Sequence, residues 1–532
     1  MLKLLLIFTI RCLSRLASFK ERRKLLDSLG DPELAQLKLL GQLQLKLKHS
    51  ERIKHFRWSS RSDYSDFVMK IPCVNYDDLE PFIQKQMRDS THELSADEVA
   101  FYERTSGSSG NAKFIPYTKS YLKILNRLFL LWVDDLINSH LRFRTAKTFL
   151  CVTPALHQDE QGSSVQIGSN TDVDYVAPWL GFVTEQFLAA PLNLSRVRDA
   201  KVYRDLLCLY LLSADDLEIV SLWSPSFWFA MLAHWSDNRE RLHPHLQSGR
   251  YEAGERQWTF KPLNDARLKL LQQKTPDWDQ VWPDISLISC WDQAHAAKGA
   301  YRLSKMFPKA FLQGKGLLAT EAPVTLPLMQ AKVSVPFLTS VFIEGEDLED
   351  QQIYPIWKWK LDHSYRIIIS VPNGFLRYRL GDVVKVSTFY LKTPIFEFMG
   401  RDAQLMDMVG EKLLEDFAYS ALNTFGPLAG QTAFFPVQNA HSSFYVLMME
   451  SEQPGLSAAA LDEALMQSHH YRLARNLGQL QPLQIAYSRT WTQRYFDLAE
   501  KRGQQLGNIK LASFHKRIYS EDEMHFLRGF DS

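Results

Sequence analysis

Hydrophobic and polar positions change their period several times along the chain, which predicts alternating helices and strands. Residues 1 to about 60 have helical spacing, and Asp31 and Pro32 form a good cap and first turn for one of these helices. Residues 203–212 again have helical spacing, whereas residues 217–222 form a short apolar run that is typical of a strand. This alternation favours an α/β fold.

Several other segments fit the same picture. An apolar side predicts an amphipathic helix after residue 118, and it consists of Leu122, Leu125, Phe129, Trp132, Val133 and Leu136. Apolar runs predict buried strands at residues 148–153, 282–291, 444–449 and 483–487. Residues 456–475 have helical spacing, and a new pattern begins near residue 403. We therefore expect more than one domain in a chain of 532 residues.

One polar stretch stands between a predicted strand at residues 98–102 and the amphipathic helix. It places two glycines and four hydroxyl side chains in six residues and then adds one lysine. These residues are Thr105, Ser106, Gly107, Ser108, Ser109, Gly110 and Lys113. Glycines let backbone N–H groups turn around an anion, hydroxyls donate further hydrogen bonds, and a lysine neutralises charge. The pattern favours a phosphate-binding loop with non-Walker spacing, and a flexible surface linker is the alternative.

Two further carboxylates lie close to glycines. Thr320 and Glu321 follow a glycine-containing segment, and the residues alone predict a turn into an edge strand with the carboxylate facing water. Gly381 and Asp382 predict a strand that ends at a glycine turn, with the carboxylate just beyond it. A carboxylate in that position can accept hydrogen bonds from both hydroxyls of a ribose. An aspartate after a glycine is also common for structural reasons alone.

Composition narrows the functional classes. The chain is 45% hydrophobic and 23% charged, as in ordinary soluble proteins, and its formal net charge is +2. So small a net charge gives no field that would recruit nucleic acid or a membrane surface. The five cysteines are scattered and form no CxxC pair, which indicates neither a disulfide framework nor a zinc site. We therefore expect a cytoplasmic protein without a nucleic-acid partner.

The N-terminal run from Leu4 to Ile10 is apolar but far too short to span a bilayer. It is a poor signal peptide because Arg11 and Arg15 interrupt it and no clean cleavage site follows. A peripheral amphipathic helix is the better alternative. Membrane contact through this helix stays an alternative that the near-neutral charge does not favour.

Three of these motifs resemble one family, whose members carry a Thr/Ser-Glu pair after a strand that is similar to Thr320 and Glu321. The string T-S-G-S-S-G-N-A-K is similar to the phosphate loop of the acyl-adenylate-forming superfamily, which includes firefly luciferase and the acyl-CoA synthetases. The following Phe-Ile-Pro resembles more specifically the auxin-responsive-promoter family of acyl-acid amido synthetases, in its bacterial branch. Tyr-Arg-Leu-Gly-Asp at residues 378–382 resembles the third nucleotide motif of that family. The resemblance extends from about residue 70 to about residue 515.

The resemblance implies an α/β fold with a large N-terminal domain of stacked β-sheets and helices at residues 1–402. A smaller, mobile C-terminal α/β lid domain would follow at residues 403–532. It also implies a reaction in which ATP and a small carboxylic acid give an acyl-adenylate, whose acyl group passes to an amine, commonly an amino acid. Alternatives are a thiol acceptor such as CoA or a carrier protein, a non-catalytic nucleotide-binding protein, or a membrane-associated interaction protein.

The resemblance also implies roles for individual residues. Glu321 would hold Mg²⁺ beside the nucleotide phosphates, and Lys510 would contact the acyl carboxylate and the α-phosphate. Lys412 would be directed at the phosphates. The residues expected to bind ATP are the loop residues 105–110 with Lys113, Thr320 near the α-phosphate, Asp382 at the ribose, and Arg401 at the ribose or phosphate. The plain alternatives are a helix-starting Glu-Lys pair on a solvated face for Lys412 and a solvated loop lysine for Lys510.

Overall fold

A computed structural model describes most of the chain. The described residues are 2–56, 58, 63–89, 91–105, 113–150, 187–197, 199–401, 405–406, 408–409, 411, 413–426, 428, 430–439, 442–502, 504, 509, 511–515 and 517–529. They form two compact units, a larger one that extends to Gly400 and a smaller one that begins at Arg401. Helices and strands alternate in both units, which confirms the predicted α/β class.

The larger unit begins with helices and contains further helices along its length. They are α1 (Leu2–Gly30), α2 (Pro32–Leu47), α3 (Glu51–Phe56), α4 (Tyr64–Lys70), α5 (Tyr76–Asp89), α6 (Lys119–Ile137), α7 (Ala200–Ser213), α8 (Pro225–Ser248), α9 (Asp265–Gln272), α10 (Trp278–Val281) and α11 (Ala297–Met306). Asp31 caps α2 by accepting a hydrogen bond from the Leu34 backbone N–H at 3.1 Å, as predicted. Among the described helices, none is both long enough and apolar enough to cross a bilayer.

The strands of the larger unit belong to several sheets. They are β1 (Val99–Thr105), β2 (Lys113–Thr118), β3 (Lys147–Leu150), β4 (Leu217–Ser221), β5 (Arg250–Ala253), β6 (Arg256–Thr259), β7 (Leu287–Cys290), β8 (Phe311–Gly314), β9 (Thr325–Leu328), β10 (Val333–Pro336), β11 (Phe342–Asp347), β12 (Ile353–Pro355), β13 (Ser364–Ser370), β14 (Tyr378–Tyr390) and β15 (Thr393–Arg401). A parallel sheet has the order β3-β4-β7-β8, and another sheet has the order β12-β11-β13-β14-β15. The antiparallel hairpin of β1 and β2 stands apart from both.

Helix α6 follows β2 directly, as predicted. Its most buried positions are shifted by about one residue from the predicted apolar side, which also packs against the core. The Thr118 hydroxyl caps the helix by accepting from the Tyr121 backbone N–H at 3.2 Å. The buried positions are Tyr121, Ile124, Leu128, Leu131, Asp134, Asp135 and Leu136. Most of these precede the predicted apolar positions by one residue. The helix is apolar over more than half its circumference, so the sequence pattern alone leaves its orientation loosely defined.

The smaller unit is an α/β layer with its own core. Its elements are β16 (Leu405–Met406), β17 (Leu413–Leu414), α12 (Glu415–Asn423), β18 (Thr432–Gln438), β19 (Ser443–Met449), α13 (Ala458–Leu465), α14 (His469–Asn476), β20 (Gln484–Tyr487), α15 (Trp491–Lys501) and α16 (Glu521–Arg528). Strand β19 pairs antiparallel with β18 and parallel with β20. The single helix predicted at residues 456–475 is instead two helices, α13 and α14. The residues predicted to face inward, Leu461, Leu465 and Tyr471, are buried as expected.

Candidate active site

The hairpin of β1 and β2 carries the predicted phosphate loop. Thr105 pairs with Lys113, so the loop joins two adjacent strands. Residues 106–110 and the Thr105 side chain lie outside the described part of the chain. The Lys113 ammonium lies 5.2 Å from the ring centroid of Tyr76, whose hydroxyl accepts from the Phe114 backbone N–H at 2.7 Å. The first residue of α5 therefore fixes the start of β2.

Thr320 and Glu321 form the tip of a tight turn. The Ala319 N–H donates to the Ala322 carbonyl at 3.0 Å, and the Ala322 N–H donates back at 3.2 Å. The hydroxyl groups of Tyr117 and Tyr121 donate to the Thr320 carbonyl at 3.1 and 2.9 Å. Because Tyr117 lies on β2 and Tyr121 on α6, the elements that follow the phosphate loop also hold this turn.

Glu321 does not face water as the residues alone predicted, because only 8% of its surface is exposed. The Tyr378 hydroxyl donates to Glu321 Oε1 at 3.4 Å, and no described cationic side chain forms an ion pair with this carboxylate. Burial raises the pKa of Tyr121, and the negative charge of Glu321 raises it further. A buried carboxylate without a described cationic partner has the chemistry that suits Mg²⁺, since buried charges are normally paired or bind metals.

Asp382 lies on a bulge and not beyond a turn. Strand β14 runs on without a break through Gly381 and Asp382, which corrects the prediction that the strand ends there. Arg379 pairs with Ile368 and Val383 with Arg366, so the residues between them bulge out of the ladder. Gly381 has φ +81°, which only glycine adopts at little cost and which explains the glycine at this position. The Asp382 side chain is buried, with 4% of its surface exposed.

Residues 74–79 lead into the site and join its parts. Val74 bridges to Tyr378 in parallel; its N–H donates to the Arg377 carbonyl at 3.0 Å, and its carbonyl accepts from the Arg379 N–H at 2.9 Å. The helix α5 that begins at Tyr76 then reaches Lys113. Hydroxyl groups of tyrosines thus link the strand after the phosphate loop, the turn of Thr320 and Glu321, and strand β14. These tyrosines are Tyr76, Tyr117, Tyr121 and Tyr378, and the sequence did not single them out as site residues. Part of the signal was present, because Tyr117 follows the loop closely and Tyr378 begins the third motif, but no tyrosine lies near Thr320 and Glu321 in the sequence.

A buried ion pair anchors the start of β14. Arg377 Nε lies 3.0 Å from Glu344 Oε2, and 4% and 1% of the two side chains are exposed. Tyr64 donates to the other Glu344 oxygen at 2.9 Å, while Arg377 Nη1 donates to the Val68 and Ile71 carbonyls at 3.1 and 2.9 Å. Burial raises the pKa of Glu344, and the guanidinium opposes this rise. The pair holds α4 and the lead-in segment against the sheet.

A second polar cluster lies at the carboxyl ends of the parallel strands. Lys315 directly follows β8, is buried, and donates from Nζ to Ser221 Oγ at 2.8 Å. Its ammonium lies 5.0 Å from the ring centroid of Trp132 and 5.2 Å from that of Trp223. The Trp132 indole N–H in turn donates to Gln313 Oε1 at 2.9 Å. Both indole rings are only partly buried, so an apolar group can contact them.

Polar side chains form a row across the same sheet. Ser221, Ser289 and Gln313 are paired in register on β4, β7 and β8, so their side chains share one face. Ser289 Oγ and Gln313 Nε2 are buried and have no hydrogen-bond partner among the described residues. A buried polar atom without a partner costs free energy, which is commonly recovered when a ligand binds.

In the smaller unit Glu411, which directly precedes the predicted Lys412, is fully buried. Its carboxylate accepts from the Met408 N–H at 2.9 Å and from the Val409 N–H at 2.8 Å, and it also accepts from the Tyr445 hydroxyl. The alternative interpretation, in which Glu411 and Lys412 start a helix on a solvated face, is therefore wrong for Glu411. Lys412, Lys510 and the Arg401 side chain lie outside the described parts of the chain.

One further described cluster, of Asp347, Glu349 and His363, has ligand atoms within 4.8 Å of one another. His363 Nδ1 lies 2.8 Å from Asp347 Oδ2, and the Glu349 N–H donates to Asp347 Oδ1 at 2.9 Å. Because these internal hydrogen bonds engage both oxygens of Asp347, we interpret the cluster as a clamp on the turn after β11.

Sequence comparisons identify relatives of this chain. The family model described as "GH3 family N-terminal domain" matches residues 21–312, and "GH3 family central domain" matches residues 335–401. "Indole-3-acetic acid-amido synthetase GH3.4" of Arabidopsis thaliana is 20% identical over 425 residues, which cover 72% of this chain and 69% of that protein. "Probable indole-3-acetic acid-amido synthetase GH3.7" of Oryza sativa subsp. japonica is 29% identical over 126 residues, which span only 20% of that protein.

Solved structures support the fold. "GH3.15 acyl acid amido synthetase" superposes with a TM-score of 0.75 at 17% sequence identity, and the match covers 94% of both chains. The same protein in complex with 2,4-DB gives a TM-score of 0.74. At this identity the comparison shows a common fold, which agrees with the α/β architecture described above.

Proposed function

This chain belongs to the GH3 family, and we propose that it is an ATP-dependent acyl-acid amido synthetase. It would activate a small carboxylic acid as an acyl-adenylate and transfer the acyl group to an amine, most simply an amino acid. The relatives named above are amido synthetases, which supports the same class of reaction here. Membership of the bacterial branch stays a prediction.

The observation that carries this proposal is the buried carboxylate of Glu321 between the elements of the predicted nucleotide motifs. Hydroxyl groups of Tyr117 and Tyr121 hold the turn of Glu321, and that of Tyr378 contacts its carboxylate. Asp382 lies four residues beyond Tyr378 on the same strand. A nucleotide needs cationic and hydrogen-bonding groups for its phosphates and an acceptor for its ribose. Lys113 and a Mg²⁺ ion held by Glu321 would supply the cations, and Asp382 would supply the acceptor.

We assign the following roles within that site. Thr105 to Gly110, Lys113 and Thr320 would bind the phosphates, and Asp382 and Arg401 would contact the ribose. Glu321 would hold Mg²⁺, which neutralises charge on the phosphates when it is bound. Because Tyr378 and the Thr320 turn restrict Glu321, its carboxylate would bind the metal without a large reorganisation.

The acid is proposed to bind at the carboxyl ends of the parallel strands, where ligands of α/β folds commonly bind. Trp132 and Trp223 offer partly buried aromatic faces there, which fit an aromatic acid. The buried polar atoms of Ser289 and Gln313 fit a hydrogen-bonding substituent on that acid. Relatives of this chain are named for indole-3-acetic acid, whose ring and carboxylate belong to the same class of compound.

Replacing Trp223 with alanine is expected to raise the KM for the acid about tenfold and to leave the KM for ATP unchanged. The lost aromatic contact is worth about 1.5 kcal/mol, and about 1.4 kcal/mol corresponds to a factor of ten. Steady-state kinetics with the acid and ATP varied in turn would measure both constants. Trp258→Ala is the control, because Trp258 lies on β6, away from these strand ends. If both variants changed the KM for the acid equally, Trp223 would not belong to the acid site.

The two lysines of the smaller unit are proposed to act at different steps. We expect Lys510→Ala to slow acid-dependent pyrophosphate exchange about a hundredfold, since about 3 kcal/mol of transition-state stabilisation is lost. A chemically synthesised acyl-adenylate should still react with the amine at a near-normal rate. Lys412→Ala should instead weaken ATP binding in the absence of acid. If Lys510→Ala slows both half-reactions equally, or neither, the proposed division is wrong.

A screen of pyrophosphate release tests the whole proposal. Carboxylic acids, with aromatic acids first, would be combined with ATP, Mg²⁺ and each amino acid, and the products identified by mass spectrometry. An amide product confirms the amido synthetase assignment. Release that depends on CoA and yields a thioester would assign a thiol acceptor instead. ATP binding without release for any acid would favour a nucleotide-binding protein without this activity.

Domain boundaries and location follow from the same assignment. We propose residues 1–402 as the adenylate-forming domain and residues 403–532 as the C-terminal lid domain. The division of the described residues at Gly400 and Arg401 supports that boundary. A cytoplasmic location is proposed because the four described cysteines form no disulfide.

A further inference from the structure

The outer side of helix α1 is apolar and exposed. Phe8, Leu13, Leu16 and Phe19 expose 63%, 59%, 77% and 65% of their surface. At about 100° per residue, their side chains span roughly 140° of the helix circumference. We call these four residues the outer face of α1. Single exposed leucines are ordinary on protein surfaces, but a contiguous stripe of this kind marks an interaction site.

The opposite side of α1 is already used for packing. Ile7, Ser14, Ser18, Leu25 and Leu29 are buried. Ser14 Oγ donates to Asp134 Oδ1 of α6 at 3.1 Å. The described protein therefore covers only this side of α1, and it leaves the outer face uncovered. Packing against α6 therefore does not account for the apolar residues of the outer face.

Charge indicates what covers the outer face. The first 24 residues contain seven basic residues and one acidic residue, Glu21. Of the basic residues, Arg15, Lys20, Arg23 and Lys24 are exposed, and they flank or follow the outer face. An apolar stripe beside a basic cluster fits an anionic lipid surface, where acyl chains meet the apolar residues and headgroups meet the bases. A second copy of this helix would instead bring two basic segments together, which is electrostatically unfavourable.

We propose that α1 lies on the surface of an anionic membrane, with its outer face inserted at the boundary of headgroups and acyl chains. The outer face is only about 17 Å long at about 1.5 Å per residue, which suits a helix lying in the plane of the interface and not one that spans the bilayer. The low net charge of the whole chain does not favour membrane contact. On the surface of α1, however, basic and apolar side chains are exposed next to one another, and this local surface favours the contact.

Vesicle flotation with the full-length protein tests the proposal. Vesicles of phosphatidylcholine alone would be compared with vesicles that also contain about one quarter phosphatidylserine, at low and at high salt. We expect at least ten times more protein with the anionic vesicles at low salt, and a large part of this difference to disappear at high salt. The wild-type protein failing to float with either vesicle at low salt would overturn the proposal.

Variants locate the contact. Leu16→Asp with Phe19→Asp should reduce flotation at least tenfold, and Arg15→Glu with Lys20→Glu should abolish the preference for anionic vesicles. Met69→Asp is the matched control, because Met69 is 78% exposed and lies on α4. Each variant should unfold at the wild-type temperature, since the changed side chains are exposed. Unchanged flotation of Leu16→Asp with Phe19→Asp would overturn the proposal. A concentration-dependent dimer that these substitutions dissociate, without vesicle binding, would assign the face to self-association instead.

Discussion

Replacing Glu321 with glutamine is expected to lower acid-dependent pyrophosphate formation about a thousandfold. The amide keeps the size of the side chain and its contact with Tyr378, but it removes the charge that would hold Mg²⁺. Loss of a metal beside the phosphates costs several kcal/mol of transition-state stabilisation, and about 4 kcal/mol corresponds to a thousandfold. The rate of pyrophosphate release would be measured across a titration of Mg²⁺.

A control on the same part of the chain separates loss of metal from general loss of charge. Glu346 on β11 pairs with Arg379 Nη1 at 2.5 Å and has no contact with Tyr378 in the described structure. Glu346→Gln should therefore leave the Mg²⁺ dependence unchanged. Calorimetry without acid should show that Mg²⁺ no longer strengthens ATP binding to Glu321→Gln. Wild-type metal dependence in this variant would assign Glu321 to a structural role.

The sequence was sufficient to predict several elements around the site, although the predicted end of a strand at Gly381 was wrong. Glycine and hydroxyl spacing indicated the loop between β1 and β2, and Asp31 and Pro32 indicated the start of α2. The cap of α2 is confirmed because capping depends on local chemistry, whereas the glycines of the loop lie outside the described residues. The strands at residues 217–222 and 444–449 were also correct, since short apolar runs are typical of buried strands.

Other properties of the site depend on contacts between distant segments. Tyr117 and Tyr121 hold the turn that carries Glu321, and Tyr378 contacts its carboxylate; these tyrosines lie about 60 to 200 residues away along the chain. No local pattern records such a contact, so the residues around Glu321 predicted a carboxylate in water. The bulge at Asp382 likewise depends on the partner strand β13, although Gly381 signals a special backbone conformation.

Arg377→Met should destabilise the larger unit by about 3–5 kcal/mol, because it leaves the carboxylate of Glu344 buried without its counter-ion. Thermal or urea unfolding would measure the free energy of unfolding. Arg379→Met is the matched control two residues along the same strand. Arg379 is partly exposed and pairs with Glu346, so its loss should cost less than about 1 kcal/mol. Equal losses in the two variants would contradict a special role for the buried pair.

The pH dependence of the same variant tests the electrostatic cause. Burial raises the pKa of Glu344 above its ordinary value of 4.5, so its carboxyl group binds a proton more tightly in the folded protein than in the unfolded chain. Such a group stabilises the fold most below its unfolded pKa, and this contribution is lost as the pH rises through the folded pKa. Without Arg377 the folded pKa rises further, and the deficit should be smallest in acid and grow toward neutral pH. Adding Glu344→Leu should remove this pH dependence and restore part of the stability, because no charge is then buried. The Val68 and Ile71 carbonyls would still lack the donor that Arg377 Nη1 supplies, so the double variant should remain less stable than the wild type.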